Sequence, residues 1–374
     1  MSNRSLQRLT RRSVLGAGLF MGASLALKGC GTQSNTSASV TGGSNATDSA
    51  IAGPLVVASF PGTTDSLYRE TLAPIIARET GISISALPLL AFEQVARLKA
   101  SPENPPFDVV ILDDGQNDIA LREGLIQPFP QDKSQNLSDI EPSFLDTRGL
   151  APIFYAQGVV LAYNSERITT PPTSWEALFN RNIGGRVGLV SMNSVLGTSF
   201  MVELGKLRGG SEANIDAAFT ALRENLSNIS GVAANPGALL TLFQQGEIDI
   251  SPMWHNDVLT LKSRGVPIAM ALPESGTAAA RYSLNIASKP TAGIERAAAY
   301  IDAMLGQEVQ SAVVGSPYFY IPANQNAPFP AEFAEIMDIS SIGDFMAKSH
   351  TLDWATINQQ RSAWIERFNR EVQA

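Results

Sequence analysis

Between Leu55 and Glu123 the chain alternates short β-branched runs with amphipathic helical stretches, and this alternation narrows its possible folds more than any other feature. Leu55-Val-Val-Ala-Ser59 reads as a strand, Leu67 to Thr80 as a helix closed by Gly81, and Ile82-Ser-Ile-Ser-Ala-Leu87 as the next strand. A helix over Phe92 to Ala100 leads to the apolar run Phe107-Asp-Val-Val-Ile-Leu112, and Asn117 to Glu123 reads as a helix ended by Gly124. This β-α-β-α-β order predicts an α/β protein with a doubly wound, largely parallel sheet. Such sheets take ligands at the carboxyl ends of their strands, here Phe60-Pro-Gly-Thr63 and Asp113-Asp-Gly-Gln116.

A second α/β unit begins near Gly158. Gly158-Val-Val-Leu-Ala-Tyr163 and Arg186-Val-Gly-Leu-Val190 read as strands, and Ser174 caps a short helix that carries Glu176 in its first turn. The turn Ser191 to Thr198 feeds a helix from about Ser199 to Leu207; further helices cover Ile215 to Leu226 and Pro236 to Gln245. Ile248 to Trp254 and Val266 to Leu272 return as strands. The body from Pro54 onward is longer than one hydrophobic core usually organises, so two lobes around a cleft are expected.

The N-terminus reads as an export address. Arg4, Arg8, Arg11 and Arg12 precede an apolar stretch, Val14 to Leu27, that is too short to span a bilayer comfortably. The paired Arg11-Arg12 resemble a twin-arginine signal, and Leu27-Lys28-Gly29-Cys30 resembles a lipobox, although Lys28 stands where a small residue is usual. Residues 1–30 are therefore expected to be a signal peptide, with a lipid on Cys30 holding the protein at the extracytoplasmic, periplasmic face of a membrane. Residues 31–53 are rich in Ser, Thr, Gly and Asn and read as a flexible tether. Cys30 is the only cysteine, which excludes an intrachain disulfide and a thiolate metal cluster. Loss of the first thirty residues removes five of the 27 basic side chains and no acid, leaving 22 against 35, a formal charge of about −13. That charge argues against nucleic acid and against docking on anionic lipid.

Several segments resemble, in order, the bacterial extracellular solute-binding proteins of ABC importers, in the branch of the spermidine/putrescine-binding proteins. They are Glu79-Thr-Gly-Ile82, Phe107-Asp-Val-Val110 with Asp113-Asp114, Pro171-Pro-Thr-Ser-Trp175, Gly246-Glu-Ile248 with Met253-Trp254, and Tyr320-Ile-Pro-Ala-Asn324. The resemblance implies a type II periplasmic-binding-protein fold, whose two lobes close over a small solute that a membrane permease, driven by its cytoplasmic ATPase, then accepts. It implies crossing strands near Tyr155–Leu161 and Ala280–Ala287. The expected first lobe is 54–157 plus 284–330 and the second 158–283, with C-terminal helices over 331–374 packed on the first through Trp354, Ile357, Trp364 and Phe368. A monomer without cofactor or resident metal is expected.

The ligand's charge is less legible. Where polyamine-binding relatives carry an aspartate before Ser-Leu, this chain has Arg281-Tyr282 before Ser283-Leu284, and Ser191 to Thr198 contains no acid, whereas a diamine needs carboxylates to offset desolvation of its ammonium groups. Asp113, Asp114, Gln116, Trp254 and Asp257 stand at strand ends, and Phe60, Tyr155, Tyr282, Tyr318 and Tyr320 could box a cation. Asp113-Asp114 also reads as a turn in which the second aspartate caps the following helix. For an anion, Ser191 to Thr198, with Ser194 and Thr198 at the mouth of a helix, offers amides and hydroxyls, and Arg281 a guanidinium; Thr63, at the end of the first strand, is a further candidate contact. A zwitterion would use both sets. Tyr318 and Tyr320, two apart, would share one face of a strand and leave a ferric ligand in play, beside phosphonate and thiamine.

An extracytoplasmic hydrolase is the alternative from another class. The two histidines, His255 and His350, form no metal-ligand or nucleophile-elbow motif, and no Gly-rich loop with a lysine is present. His255, near Asp257, is the one place for acid–base work, so a binding protein is expected and not an enzyme.

Overall fold

The computed structural model describes residues 53–145, 149–180 and 186–373; the expected signal peptide, Cys30 and the tether through residue 52 lie outside them. Strands β1 (Leu55–Ser59), β2 (Ile84–Pro88) and β3 (Val109–Asp113) are parallel, with β1 in the centre. Helix α1 (Thr63–Ser66), a π-helical stretch (Leu67–Leu72) and α2 (Ala73–Thr80) join β1 to β2, and α3 (Ala91–Ala100) joins β2 to β3. Gly81 ends α2 at φ +72°, a left-handed C-cap that favours glycine. All five residues of β3 are buried, as expected of a parallel strand covered on both faces. Helix α4 (Asp114–Arg122) and a short β4 (Ile126–Gln127) complete this part.

Strand β5 (Ile153–Asn164) then carries the chain into a second sheet. That part contains β6 (Val187–Val190), α5 (Val195–Leu207), α6 (Asp216–Glu224), β7 (Ile229–Ala233), α7 (Pro236–Gln244), β8 (Ile250–Trp254), α8 (His255–Ser263) and β9 (Ile268–Ala271). Strand β10 (Thr277–Ala287) returns to the first sheet and lies antiparallel between β3 and β5, giving the order β2-β1-β3-β10-β5-β8-β6-β7.

Two lobes follow from the way β5 changes partners. Its residues through Gly158 pair with β10, and those from Val159 pair with β8 and β9. Gly158 sits at the change because a Cβ there would meet the Phe333 ring at 3.0 Å, and its N–H donates to His255 Nδ1 at 3.0 Å. Tyr282 of β10 pairs with Tyr155, and the register against β5 shifts between Tyr282 and Ser283, an irregularity of the kind that re-aims a side chain beside a site.

The remaining elements are α9 (Ile294–Leu305), α10 (Gln307–Val314), β11 (Ile321–Pro322), α11 (Ala331–Met337), α12 (Ile342–Lys348), β12 (Ser349–His350) and α13 (Trp354–Glu371). The apolar side of α13, with Trp354, Ile357, Trp364 and Phe368, is buried. This helix rests on α4, where a Cβ on Gly115 would stand 2.6 Å from the Trp354 ring and Asn358 Nδ2 donates to Gly115 O at 2.9 Å. It also reaches α6 of the second lobe: the Arg367 guanidinium lies 4.0 Å over the Phe219 ring and pairs with Asp216, and Arg223 pairs with Glu371 at 3.4 Å.

Candidate functional site

The carboxyl ends of the parallel strands of both lobes converge on one cavity. Phe60, Pro61, Thr63 and Thr64 follow β1, Leu90 and Ala91 follow β2, and Asp113 ends β3. Opposite them, Asn193, Ser194 and Val195 open α5, Pro236 and Gly237 open α7, Trp254 ends β8, and Asp257 lies in the first turn of α8. Gln157 of β5, Tyr282 of β10 and Tyr320 line the wall between the two sides. The cavity has a volume of about 60 Å³. Gly62 and Gly237 meet beside it: a Cβ on Gly62, which has φ +86°, would lie 3.3 Å from Gly237 Cα.

The wall is aromatic and acidic. Phe60 stands edge-on to Tyr282, with centroids 5.3 Å apart, and buried Tyr155 backs Tyr282 and Tyr320 at 5.0 and 4.3 Å. Tyr320 Oη and Thr64 Oγ1 share a hydrogen bond of 2.7 Å. Burial raises the phenols of Tyr155, Tyr282 and Tyr320, which keeps them neutral. Asp113 Oδ1 accepts from the Gly115 and Gln116 amides at 3.1 and 3.0 Å. Burial raises its carboxyl, while the charge of Arg361 and those amides act in the opposite sense. Asp257 is 5% exposed, and burial pushes its acid up to about 7, offset in part by the charge of Arg264. Among the described residues that line the cavity there is no lysine, arginine or histidine.

Eight of the thirteen residues expected from sequence come together here: Phe60, Thr63, Asp113, Ser194, Trp254, Asp257, Tyr282 and Tyr320. Five do not line the cavity. Tyr155 is behind the aromatic wall, and Gln116 is buried in α4, joined to the site through the hydrogen bond its backbone N–H donates to Asp113 Oδ1. Asp114 and Arg281 hold each other, with Arg281 Nη2 2.9 Å from Asp114 Oδ1, so the guanidinium expected to clamp an anion is already occupied. Asp113, and not Asp114, caps α4. Thr198 Oγ1 donates to Met192 O at 2.7 Å and accepts from Arg361 Nε at 3.2 Å, which turns it away from the cavity.

Local geometry fixes the role of His255 and corrects the expectation that Tyr318 and Tyr320 share a face. His255 accepts from Gly158 through Nδ1, so Nε2 carries the proton that goes to Phe319 O at 3.0 Å; the ring stacks on Phe333 at 4.0 Å, and burial lowers its acid to about 3. It is a fixed, neutral imidazole. Tyr318 and Tyr320 are not on one strand face, because Phe319 between them has φ +57°, and Tyr318 Oη bonds Thr71 while Tyr320 Oη bonds Thr64. Residue selection by charge and aromaticity missed Gln157, whose Nε2 donates to Asn256 Oδ1 at 2.6 Å. Its signal was there: it is the one amide side chain in the apolar run Phe154 to Ala162.

A two-lobe α/β body with its strand ends around a small cavity defines the architecture of a solute-binding protein. The chain belongs to the family of bacterial extracellular solute-binding proteins, which matches residues 104–339, more than half of its length. It is 23% identical over 312 residues to the spermidine/putrescine-binding periplasmic protein 1 of Haemophilus influenzae, covering 79% of this chain and 83% of that one. Among solved structures, the periplasmic binding protein AfuA of Actinobacillus pleuropneumoniae, with fructose-6-phosphate bound, aligns with a TM-score of 0.70 at 20% identity over 86% of this chain and 98% of that one. A periplasmic thiamin binding protein aligns with a TM-score of 0.68 at 19% identity over 85% and 96%. These proteins bind and transport their solutes and are not enzymes, and those of ABC importers deliver a small ligand to a permease. Among the described residues no helix is long and apolar enough to cross a membrane.

Proposed function

We propose that this protein captures a small ammonium-bearing solute, a short polyamine or an amino acid-like amine, for an ABC importer. The observation that carries this reading is Asp257: a buried carboxylate in the cavity wall, enclosed with Phe60, Trp254, Tyr282 and Tyr320, with no basic side chain among the described lining residues. A desolvated carboxylate favours a cationic guest, and the aromatic faces add cation–π attraction. Gln157 and Asp113 supply further acceptors, and Asp113 would receive the second ammonium of a diamine.

The amino acid-like member of this class has its own support. Helices α5 and α7 present their N-termini to the cavity with no acidic residue in their first turns, whereas α4 and α8 carry Asp114 and Asp257 there. The two uncompensated N-termini suit a carboxylate. Neutral, raised phenols and the divergence of Tyr318 from Tyr320 weigh against a ferric guest.

In this reading the lobes comprise 54–157 plus 284–330 and 158–283 and shut over the guest, while a lipid on Cys30 and the tether 31–53 hold a monomer at the membrane. The test is thermal denaturation with putrescine, spermidine, γ-aminobutyrate, thiamine, ferric citrate and fructose-6-phosphate. A ligand at 100 times its Kd adds about 2.7 kcal/mol and raises Tm by several degrees. Putrescine or γ-aminobutyrate should do so. A shift with fructose-6-phosphate or ferric citrate alone would overturn the reading.

A further inference from the structure

Arg361 of α13 is 5% exposed and lies outside the cavity, yet it bonds the turn that forms one cavity wall and lies over Trp354 of its own helix, which packs beside the other. On the second-lobe side its Nε donates to Thr198 Oγ1 at 3.2 Å and its Nη2 to Asn193 O at 3.1 Å, fixing the turn from which Asn193 and Ser194 face the guest. Its guanidinium also lies 5.3 Å over the ring of Trp354 in the same helix, and it is that ring which packs against Gly115 of the first lobe, next to the capping carboxylate of Asp113. Its Nη1 is buried with no hydrogen-bond partner. A guanidinium left partly unsatisfied in the interior is destabilising unless a nearby negative charge compensates it, and Asp113 is the acid whose charge it senses.

We propose that Arg361 is a positioning residue of the solute site, through which the C-terminal helix couples the Asp113 wall of the first lobe to the Met192–Thr198 wall of the second. This rests on the cavity being the solute site, and not on the charge of the guest. Arg361 touches no guest; it sets the attitude of both walls at once, so capture depends on a helix outside the cavity.

The experiment uses the full chain and the variants Arg361→Met and Arg361→Lys. Amide hydrogen exchange of the ligand-free proteins is followed at Gly115–Asn117 and at Met192–Thr198, and putrescine affinity is measured by calorimetry. Arg361→Met should raise exchange at both segments together by at least tenfold and weaken putrescine at least tenfold. Arg361→Lys, which keeps the charge but loses the fork, should fall between the parent and Arg361→Met, restoring affinity and the protection of both segments only in part and in step. Wild-type exchange at both segments in Arg361→Met, or loosening of one wall alone, overturns the coupling. Should Arg361→Met not fold, Thr198→Val, which removes the Nε acceptor, must loosen Gly115–Asn117 as well as its own segment or the proposal fails. If putrescine binds none of the proteins, the amine reading falls and the exchange result alone decides the coupling.

Discussion

If Asp257 is the acid that meets the guest, Asp257→Asn should make the empty protein more stable and a worse binder, because burying a carboxylate without a cation costs more than burying an amide. Asp257 accepts from Asn256 Nδ2 at 3.4 Å, and its acid is pushed up to about 7 by burial. From an ordinary value near 3.9, a shift of about three units corresponds to at most about 4 kcal/mol, of which about 1–3 is expected once water in the cavity is allowed for. The direction follows from proton counts. Below about pH 4 folded and unfolded chains both hold the proton and nothing is lost; between about 4 and 7 only the unfolded chain releases it, so stability falls as pH rises, and above about 7 the loss is complete. Asparagine has no charge to bury, so the variant should melt several degrees above the parent at pH 8 and within about a degree of it at pH 4.

Binding should change in the opposite sense. A charge-assisted hydrogen bond contributes about 1.5–3 kcal/mol, so Asp257→Asn should weaken putrescine or γ-aminobutyrate about 10- to 150-fold at pH 8. The parent should bind about tenfold more weakly at pH 6 than at pH 8, since about a tenth of Asp257 is ionised at the lower pH. Scanning calorimetry at pH 4 and 8, with titration calorimetry at pH 6 and 8, reads all of these. A variant that melts lower at pH 8 and binds as the parent does would make Asp257 a structural acceptor and refute the reasoning.

Two further substitutions probe the rim and the anion clamp. Gly237→Val places methyl groups beyond a Cβ that would already contact Gly62 Cα at 3.4 Å, so it should prop the two sides apart, weakening putrescine about tenfold and enlarging the radius of gyration seen by small-angle scattering with ligand present. Arg281→Ala leaves Asp114 unpaired and should lower stability by about 1–3 kcal/mol while changing putrescine affinity less than about threefold; a large affinity loss would return Arg281 to the site.

Local patterning carried much of this fold, and distance in sequence hid the rest. Strand β1 is where the apolar run put it, and β3 begins two residues later than its run because Phe107 and Asp108 lead into it. Asp108 instead accepts from the Val56 and Ala292 amides through its two carboxylate oxygens, ties no alternation pattern could show. Helix α5 begins at Val195, four residues before the periodic stretch, and Gly197 disguised it. A Cβ at Gly197 would lie 2.4 Å from Ser191 O, so the glycine marks a close backbone approach and not a break. Strand β7, Ile229-Ser-Gly-Val-Ala233, went unread because its glycine and partly exposed faces blur the alternation. The acids and aromatics of the site were visible as residue types at strand ends. Which of them faced the cavity was not, since Arg281 and Asp114 are 167 residues apart and Thr198 and Arg361 are 163 apart.

Charge at helix starts explains why one scaffold can serve guests of opposite sign. Parallel strands of two α/β lobes deliver helix N-termini to the cleft, and each N-terminus carries a partial positive charge that suits an anion. A cationic guest therefore requires acids placed in those same first turns. Asp257 does this in α8, and Asp113 does it as the N-cap of α4, while α5 and α7 remain uncompensated. The specificity of such a site then resides in very few side chains: with Asp257 and Asp113 neutralised, the same backbone would present only amide donors and helix ends. Asp113→Asn combined with Asp257→Asn should consequently move preference toward carboxylate guests without altering the fold; on the proposed reading, the two acids and the two uncompensated helix starts together would suit a solute bearing both charges.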